Sequence, residues 1–252
     1  MHPLRRPAHG RHAARPHALH EQQVLFARKV RKGPRVRRAA CYAQSGAEGL
    51  PALRRALDLL LREAPPRSCF RLLPCRAGER GARIGGRDIA GEALARALQG
   101  CGTVSLICAT LGQAADRLLA RAQVQDMAWA LMLDACASAL VEEEAARALR
   151  GAAEAAGLCR GAATAPGYAG FPLGGQQALL DLIDARRRLG VAGTGAGMLV
   201  PAKSLLYVQG LRPPGAGRAD APDPAPPCKT CARRDCPFRR EKNNDESEEE
   251  RC

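Results

Sequence analysis

Three cysteines in the C-terminal part of the chain form the most specific chemical pattern in this sequence. Cys228, Cys231 and Cys236 have the spacing C-x2-C-x4-C. Two thiolates at C-x2-C spacing can bind one metal ion, because the intervening turn directs both sulfurs inward. The three residues are one ligand short of a closed structural site, and they fit zinc or an iron–sulfur cluster equally well. A redox-active thiol set, or no specific role, stays open. The candidates for a fourth ligand are Cys252, Cys41 and Cys75.

Histidine is missing from the part of the chain that is expected to fold. The five histidines all lie within the first twenty residues, and residues 37–240 contain none. Histidine is the usual general base near neutral pH. Its absence excludes Ser-His-Asp and Cys-His reaction centres and imidazole zinc sites from this region. We therefore expect the function to rest on ligand binding and on cysteines.

A polar stripe is predicted on the longest helical segment, residues 126–158. Asp134, Ser138 and Glu142 are four residues apart, so they share one side of a helix. They could line a pocket or form a solvated stripe. The acidic run 142–144 is predicted to face solvent.

Two turns could also bind ligands. Residues 103–109 read as a buried strand that runs through Gly112 into a helix, and such a turn can hold an anion at the helix N-terminus. Pro166, Gly167 and Tyr168 predict a tight turn, because proline keeps the preceding residue extended and glycine permits positive φ. We expect this turn to present Tyr168 and nearby backbone N–H groups outward.

The elements around these residues predict an α+β fold in a single domain. We expect a twisted, mixed or antiparallel sheet packed against long helices, chiefly the helix of residues 126–158 and one that begins at Pro172 and ends at Gly190. Residues 160–172 are predicted to be irregular. The glycines of residues 193–197 lack a following helix, so a dinucleotide loop is rejected. The sheet is predicted from residues 68–75, 103–109 and 196–211; a further strand is expected at 83–85, and further helices at 49–63 and 88–99.

The charge distribution divides the chain into regions. The net charge is +14, but residues 1–38 carry eleven Lys/Arg against one Glu. Most of the basic signal is thus an arm, and nucleic-acid binding by the body is disfavoured. We expect a disordered basic arm at 1–36, a body at 37–211, a proline-rich linker at 212–227, the cysteine cluster at 228–240 and a disordered acidic tail at 241–252.

Hydrophobicity and cysteine usage predict a cytoplasmic protein. Neither a secretory signal nor a membrane span is recognisable. Eleven cysteines in 252 residues do not suggest a secreted disulfide framework. Cys101, Cys108, Cys136 and Cys159 lie in apolar or alanine-rich segments, where cysteine usually behaves as a small hydrophobic residue.

Four segments together resemble the activation domain of cobalamin-dependent methionine synthase, in the short standalone form found in bacteria. They are CATLGQAAD (108–116), DMAWALMLDACASALVEE (126–143), APGYAGFPLGGQQALLDLIDARRRLGV (165–191) and GMLVPAKSLLYVQGL (197–211). The short proteins also carry the C-terminal C-x2-C-x4-C.

The resemblance implies a methyltransferase component that binds S-adenosylmethionine and docks on a cobalamin-binding protein. The partner holds the cobalamin, which has become oxidised, and flavodoxin or ferredoxin supplies an electron while the donor supplies a methyl group. The cofactors carry this chemistry, so the domain needs no histidine. An alternative function stays open: a non-catalytic corrinoid-protein partner that binds a metal or iron–sulfur cluster through its C-terminal cysteines and binds no methyl donor.

The resemblance also implies binding residues. Glu142 matches an acidic residue of the family's long helix, and Pro166, Gly167 and Tyr168 match its donor-binding Pro-Gly-Tyr. Lys203 and Ser204 match the segment after Pro201 in the short proteins. The family's arginine, which would hold the donor's carboxylate, falls at Ala163 here.

Overall fold

The computed structural model describes residues 50–168 and 170–215. The predicted basic arm, cysteine cluster and acidic tail lie outside the described residues, as does most of the predicted linker. The described part contains helices and strands in the following order: α1 Leu50–Glu63, β1 Arg67–Ala77, β2 Gly81–Ile84, β3 Arg87–Ala90, α2 Glu92–Leu98, β4 Thr103–Thr110, α3 Gly112–Gln125, α4 Met127–Ala156, β5 Cys159–Thr164, a 3-10 turn Leu173–Gly175, α5 Gln176–Ile183, α6 Ala185–Leu189, β6 Ala192–Gly193, β7 Leu199–Val200 and β8 Ser204–Arg212.

Six strands form one antiparallel sheet in the order β3-β2-β1-β4-β8-β5. The predicted α+β class is confirmed, and the sheet is antiparallel. Strand β4 lies in its centre, because its apolar sequence TVSLICAT suits a strand covered on both faces. It pairs with β1 and β8 along its whole length, so that Thr110 lies opposite Arg67 on one side and Ser204 on the other.

The sheet separates two hydrophobic cores. On one face, α1, α3 and α4 pack through small and branched side chains such as Leu57, Ala115 and Leu140. On the other face, α2, α5 and α6 pack against Leu106, Val208 and the sheet residues beside them. Aromatic residues make up only 3% of the chain, so both cores consist mainly of Leu, Ala, Val and Ile.

The long helix agrees with the sequence at both ends. Asp126 is extended, with φ −157°, and its side chain accepts a hydrogen bond from the Trp129 N–H at 3.0 Å, which is the geometry of an N-cap. Gly157 ends the helix in the left-handed conformation. No described helix meets the length and hydropathy that a membrane crossing requires.

The predicted helix at 88–99 is wrong over residues 88–91, and the strand predicted at 83–85 belongs to a longer hairpin. Ile84 pairs with Arg87 across a two-residue loop in which Gly85 and Gly86 both have positive φ. Such a loop matches the twist of paired strands, so Ile89 becomes part of β3. Helix α2 begins only after Gly91, because its φ of 150° is incompatible with a helix.

Two further predictions are corrected. Residues 160–172 are not wholly irregular, because β5 covers Cys159–Thr164 and pairs with β8. Pro172 does not open an α-helix but precedes a 3-10 turn, and α5 starts at Gln176. The helix then breaks at Asp184, which has φ 57°, before α6 continues to Gly190.

Candidate functional site

Lys203 joins strand β8 to the polar stripe of α4. Its Nζ donates hydrogen bonds to Ser138 Oγ and Asp134 Oδ1, both at 2.9 Å. The Lys203 side chain is 17% exposed, whereas that of Asp134 is 50% exposed. Glu142 lies one helical turn beyond Ser138 on the same side of α4 and is half-buried. The stripe therefore forms a polar wall with Lys203 at its centre.

Ser204 fixes the position of Lys203 from beneath. Its buried hydroxyl lies 2.8 Å from Thr110 Oγ1 and donates to the Pro201 carbonyl at 2.7 Å. Thr110 Oγ1 also accepts a hydrogen bond from the Gly112 N–H at 2.9 Å. The Gly112 amide, which the sequence offered as an anion site, is thus used inside the protein. The geometry makes Ser204 a positioning residue.

The turn at residues 165–171 displays Tyr168 on a closed backbone. The Gly167 N–H donates to the Phe171 carbonyl at 2.7 Å, and the Phe171 N–H donates to the Tyr168 carbonyl at 2.7 Å. The φ of 90° at position 167 is a conformation that favours glycine. Tyr168 is 65% exposed, so its predicted outward presentation is confirmed. The prediction of free amides is wrong, because the N–H groups of Gly167 and Tyr168 bond within the turn.

A glycine-rich groove of about 480 Å³ lies beside this turn. Leu173 separates the two, because its side chain lies close to both Gly167 and Gly197. Gln176 Nε2 donates to the Gly197 carbonyl at 3.0 Å and holds one wall of the groove. The glycines of this wall lead into the two-residue strand β7 and not into a helix, in agreement with the rejection of a dinucleotide loop.

Comparison with known proteins identifies the fold. No protein-family model matches the chain, and no curated protein matches it. A solved structure described as the MetH reactivation domain bound to AdoHcy superimposes with a TM-score of 0.51 and 16% sequence identity, over 68% of this chain and 68% of that chain. This chain has the fold of the MetH reactivation domain. The resemblance seen in the sequence is thereby confirmed at the level of the fold.

Within this reactivation-domain fold, a β-bulge places Arg160 on the same face as Ala163. Arg160 pairs with Leu211 and Ala163 pairs with Gln209, so two residues of β5 lie opposite Gly210 alone. A bulge of this kind redirects side chains and is frequent beside functional sites. Gly161 was the sequence signal for it, since its missing Cβ would lie 2.8 Å from the Gly210 carbonyl oxygen. Sequence reasoning missed it by treating the segment as irregular.

Two acidic residues of α4 are buried, which corrects the predicted solvent-facing run at 142–144. Glu143 and Glu144 are 9% and 3% exposed. Glu144 accepts a hydrogen bond from Ser68 Oγ and an ion pair from Arg147. The hydrogen bonds that Arg147 donates to Glu144 are the main cause that raises the pKa of Arg147. The burial arises because α4 crosses the sheet at this level, with β1 directly beneath it.

The cysteines of the described residues are packing residues. Cys101, Cys108 and Cys136 are buried, as predicted, and Cys159 is half-buried. Burial raises the pKa of the Cys108 and Cys136 thiols to about 12, so they stay protonated at neutral pH. Burial likewise raises the pKa of Cys75 to about 11.

The predicted metal ligands Cys228, Cys231 and Cys236 lie outside the described residues, as do Cys41 and Cys252. Within residues 50–168 and 170–215, no group of three or more His, Cys, Asp or Glu side chains could hold a metal ion. The metal hypothesis therefore depends wholly on the C-terminal cysteines.

Proposed function

We propose that this protein is a component for reductive reactivation of a cobalamin-dependent methionine synthase or a related corrinoid methyltransferase. It binds S-adenosylmethionine and docks on the cobalamin-binding protein. The observation that carries the proposal is the reactivation-domain fold, whose solved counterpart is described as bound to AdoHcy. AdoHcy is what S-adenosylmethionine becomes when it gives up its methyl group, so a protein of this fold that binds one is suited to the other.

The polar wall on α4 and the Tyr168 turn match the charges of the methyl donor. S-adenosylmethionine carries an ammonium, a sulfonium and a carboxylate. Glu142, half-buried on α4, is suited to the ammonium, because a partly desolvated carboxylate attracts a cation strongly. The exposed ring of Tyr168 offers an aromatic face for the adenine or the sulfonium. Lys203 adds positive charge on the same wall, although it is already bonded to Asp134 and Ser138.

The donor's carboxylate needs a cation that Ala163 does not supply. Arg160 is the candidate, because it is exposed and the β-bulge places it on the same sheet face as Ala163. An arginine can bind a carboxylate with two parallel hydrogen bonds, which lysine cannot do. We therefore assign binding of the donor's carboxylate to Arg160, which precedes Ala163 in β5 and lies on the other side of the bulge.

The partner would carry the cobalamin, and the bound donor would supply the methyl group. In this scheme a flavodoxin or a ferredoxin supplies the electron. The N-terminal end of α4 offers a surface for the partner, because Met127 and Leu131 are 68% and 53% exposed. Both lie on the same side of the helix as Asp134 and Glu142, so the partner would contact the protein beside the donor.

Calorimetric titration with S-adenosylmethionine and with AdoHcy tests the proposal. We expect saturable binding by the full chain. Replacing Tyr168 or Arg160 with alanine should weaken it by about tenfold or more, which corresponds to loss of one good contact of roughly 1.4 kcal/mol. The matched control is Val124→Ala, which changes an 89% exposed side chain near the C-terminal end of α3 and should leave donor binding unchanged.

The titration also separates the proposal from the alternative. An absence of heat at millimolar donor, with the far-UV circular dichroism unchanged, would refute donor binding. The chain would then be better described as a corrinoid-protein partner without a methyl donor. If Arg160→Ala binds normally while Tyr168→Ala does not, donor binding stands and the assignment of Arg160 is wrong.

A further inference from the structure

Three arginines form a cationic surface where β1 meets α5 and α6. We define this arginine surface as Arg67, Arg71 and Arg188, all of which are exposed. Arg67 and Arg71 alternate along β1 and point to the face on which α5 and α6 pack, because Cys69 between them belongs to that core. Arg188 comes from α6, which lies against the same strand.

All three guanidinium groups are held by neutral acceptors. Arg71 Nη1 donates to the Leu182 carbonyl at 2.6 Å, and Arg67 Nη2 donates to the Leu189 carbonyl at 3.4 Å. Arg188 Nη1 donates to the Phe70 carbonyl at 3.1 Å. A carbonyl fixes an arginine without cancelling its charge. The surface is therefore preorganised and still fully cationic, unlike an arginine bound to a carboxylate.

The acidic groups nearest to this surface are already engaged. Asp184 binds Arg187, and Asp181 binds Arg87 and Gln177. None of Arg67, Arg71 and Arg188 forms an ion pair with an acidic residue within residues 50–168 and 170–215. The arginine surface thus keeps a positive charge that a flexible anionic peptide could meet with several contacts at once.

The chain itself contains such a peptide. Residues 241–252 hold six acidic residues against Lys242 and Arg251. We propose that this acidic segment binds the arginine surface of its own chain. Charge complementarity supports the pairing, and so does the length of the intervening chain.

The intervening chain is long enough to span the distance. Strand β8 ends at Arg212, beside Thr103, whereas Arg67 lies at the other end of the sheet, where Thr110 pairs with Ser204. At about 3.3 Å per residue, the length of β8 separates the two ends by roughly 26 Å. Residues 216–240 lie between the described part and the acidic segment, and a chain of that length can reach at most about 80 Å. A tethered segment within reach of its site has an effective concentration on the order of millimolar.

A labelled peptide of residues 241–251 tests this pairing by fluorescence anisotropy at low salt. The first protein is the full chain, and the second is the full chain with the five acidic residues at 245–250 changed to Asn or Gln. We expect the peptide to bind the neutralised chain on the order of tenfold more tightly, because the native segment competes at millimolar effective concentration. Binding should vanish in high salt, since the Debye length falls from about 10 Å at 0.1 M to about 3 Å at 1 M.

Arginine variants locate the site. Arg71→Glu in the neutralised chain should abolish peptide binding, whereas Arg121→Glu, an exposed arginine of α3 on the opposite layer, should leave it unchanged. Arg71→Gln serves as a second variant if the charge reversal disturbs the fold. Equal binding to the native and neutralised chains would show that the surface accepts acidic peptides from elsewhere, and it would overturn the intramolecular pairing. Binding to neither chain, or unchanged binding in Arg71→Glu, would overturn the surface itself.

Discussion

The turn that displays Tyr168 depends on one buried side chain, and its removal gives a quantitative test. Phe171 is 1% exposed and belongs to the core formed by α2, α5 and α6. It packs between Gly91 and Gly175, where added Cβ atoms would lie 2.9 and 3.3 Å from its ring. Two glycines thus make room for one aromatic ring, and the surroundings cannot easily fill the space that it leaves.

Phe171→Ala should lower the free energy of unfolding by about 3–5 kcal/mol, which combines the lost burial with the cavity that remains. A domain of ordinary stability, about 5–15 kcal/mol, would stay folded. Phe171→Leu should cost less than about 1.5 kcal/mol, because it keeps most of the volume. Phe70→Ala is the matched control: Phe70 is only half-buried, so we expect a loss of about 1–2 kcal/mol.

Urea unfolding, followed by far-UV circular dichroism and by the fluorescence of the single tryptophan, measures these differences. Trp129 packs on the opposite core, so agreement of the two signals would show that both cores unfold together. Amide exchange at Gly167 and at Phe171 should accelerate in Phe171→Ala, because both amides close the turn. The reasoning fails if Phe171→Ala loses no more stability than Phe70→Ala, or if exchange in the turn is unchanged.

Three further predictions concern other parts of the molecule. Lys203→Met should weaken donor binding while Lys203→Arg keeps it, as measured by calorimetry; equal binding by both variants would remove Lys203 from the site. Burial raises the pKa of the Cys136 thiol in the folded protein, so its contribution to stability is present below pH 9 and is lost as pH rises from 9 toward 12. Between pH 8 and pH 10, the free energy of unfolding of Cys136→Ala should therefore fall by about 1.4 kcal/mol less than that of the parent in urea titrations. An equal fall in the two proteins would contradict the assignment. Anaerobically purified protein should contain stoichiometric zinc or a brown iron–sulfur chromophore that disappears when Cys228, Cys231 and Cys236 are changed to serine; metal analysis that finds the same content in the variant would place the metal elsewhere.

The elements that sequence reasoning identified correctly are those with a strong local signal. Asp126 could be recognised as an N-cap, since its carboxylate needs only the Trp129 amide three residues later. Strand β4 was evident from its apolar run between glycines. The hairpin at Gly85 and Gly86 was not predicted, because Ile89, Leu94 and Leu98 together suggested the apolar face of one helix. In the structure Ile89 belongs to β3.

The burial of Glu143 and Glu144 could not be deduced from spacing. An acidic run on a helix is ordinarily solvated, and its burial here depends on two tertiary contacts between segments that are distant in the sequence. Helix α4 crosses over β1, and Ser68 on that strand meets Glu144. Arg147, one turn further along α4, completes the pairing. A buried carboxylate without such partners would cost several kcal/mol, so the tertiary contacts determine its environment.

The position that we propose for the carboxylate-binding cation illustrates why site residues cannot be transferred by sequence spacing alone. Spacing from Tyr168 selects Ala163, where the methyl side chain can hold no carboxylate. In the sheet, the bulge at Gly161 adds one residue to β5 relative to β8, and Arg160 then lies on the same face as Ala163. Arg160, three positions before Ala163 in the sequence, thus becomes its neighbour on one face, about 6–7 Å away, which is the two-residue repeat of a strand. If Arg160 binds the donor, Ala163→Arg should restore binding to the Arg160→Ala variant, whereas failure of this rescue would mean that the two positions do not share a ligand.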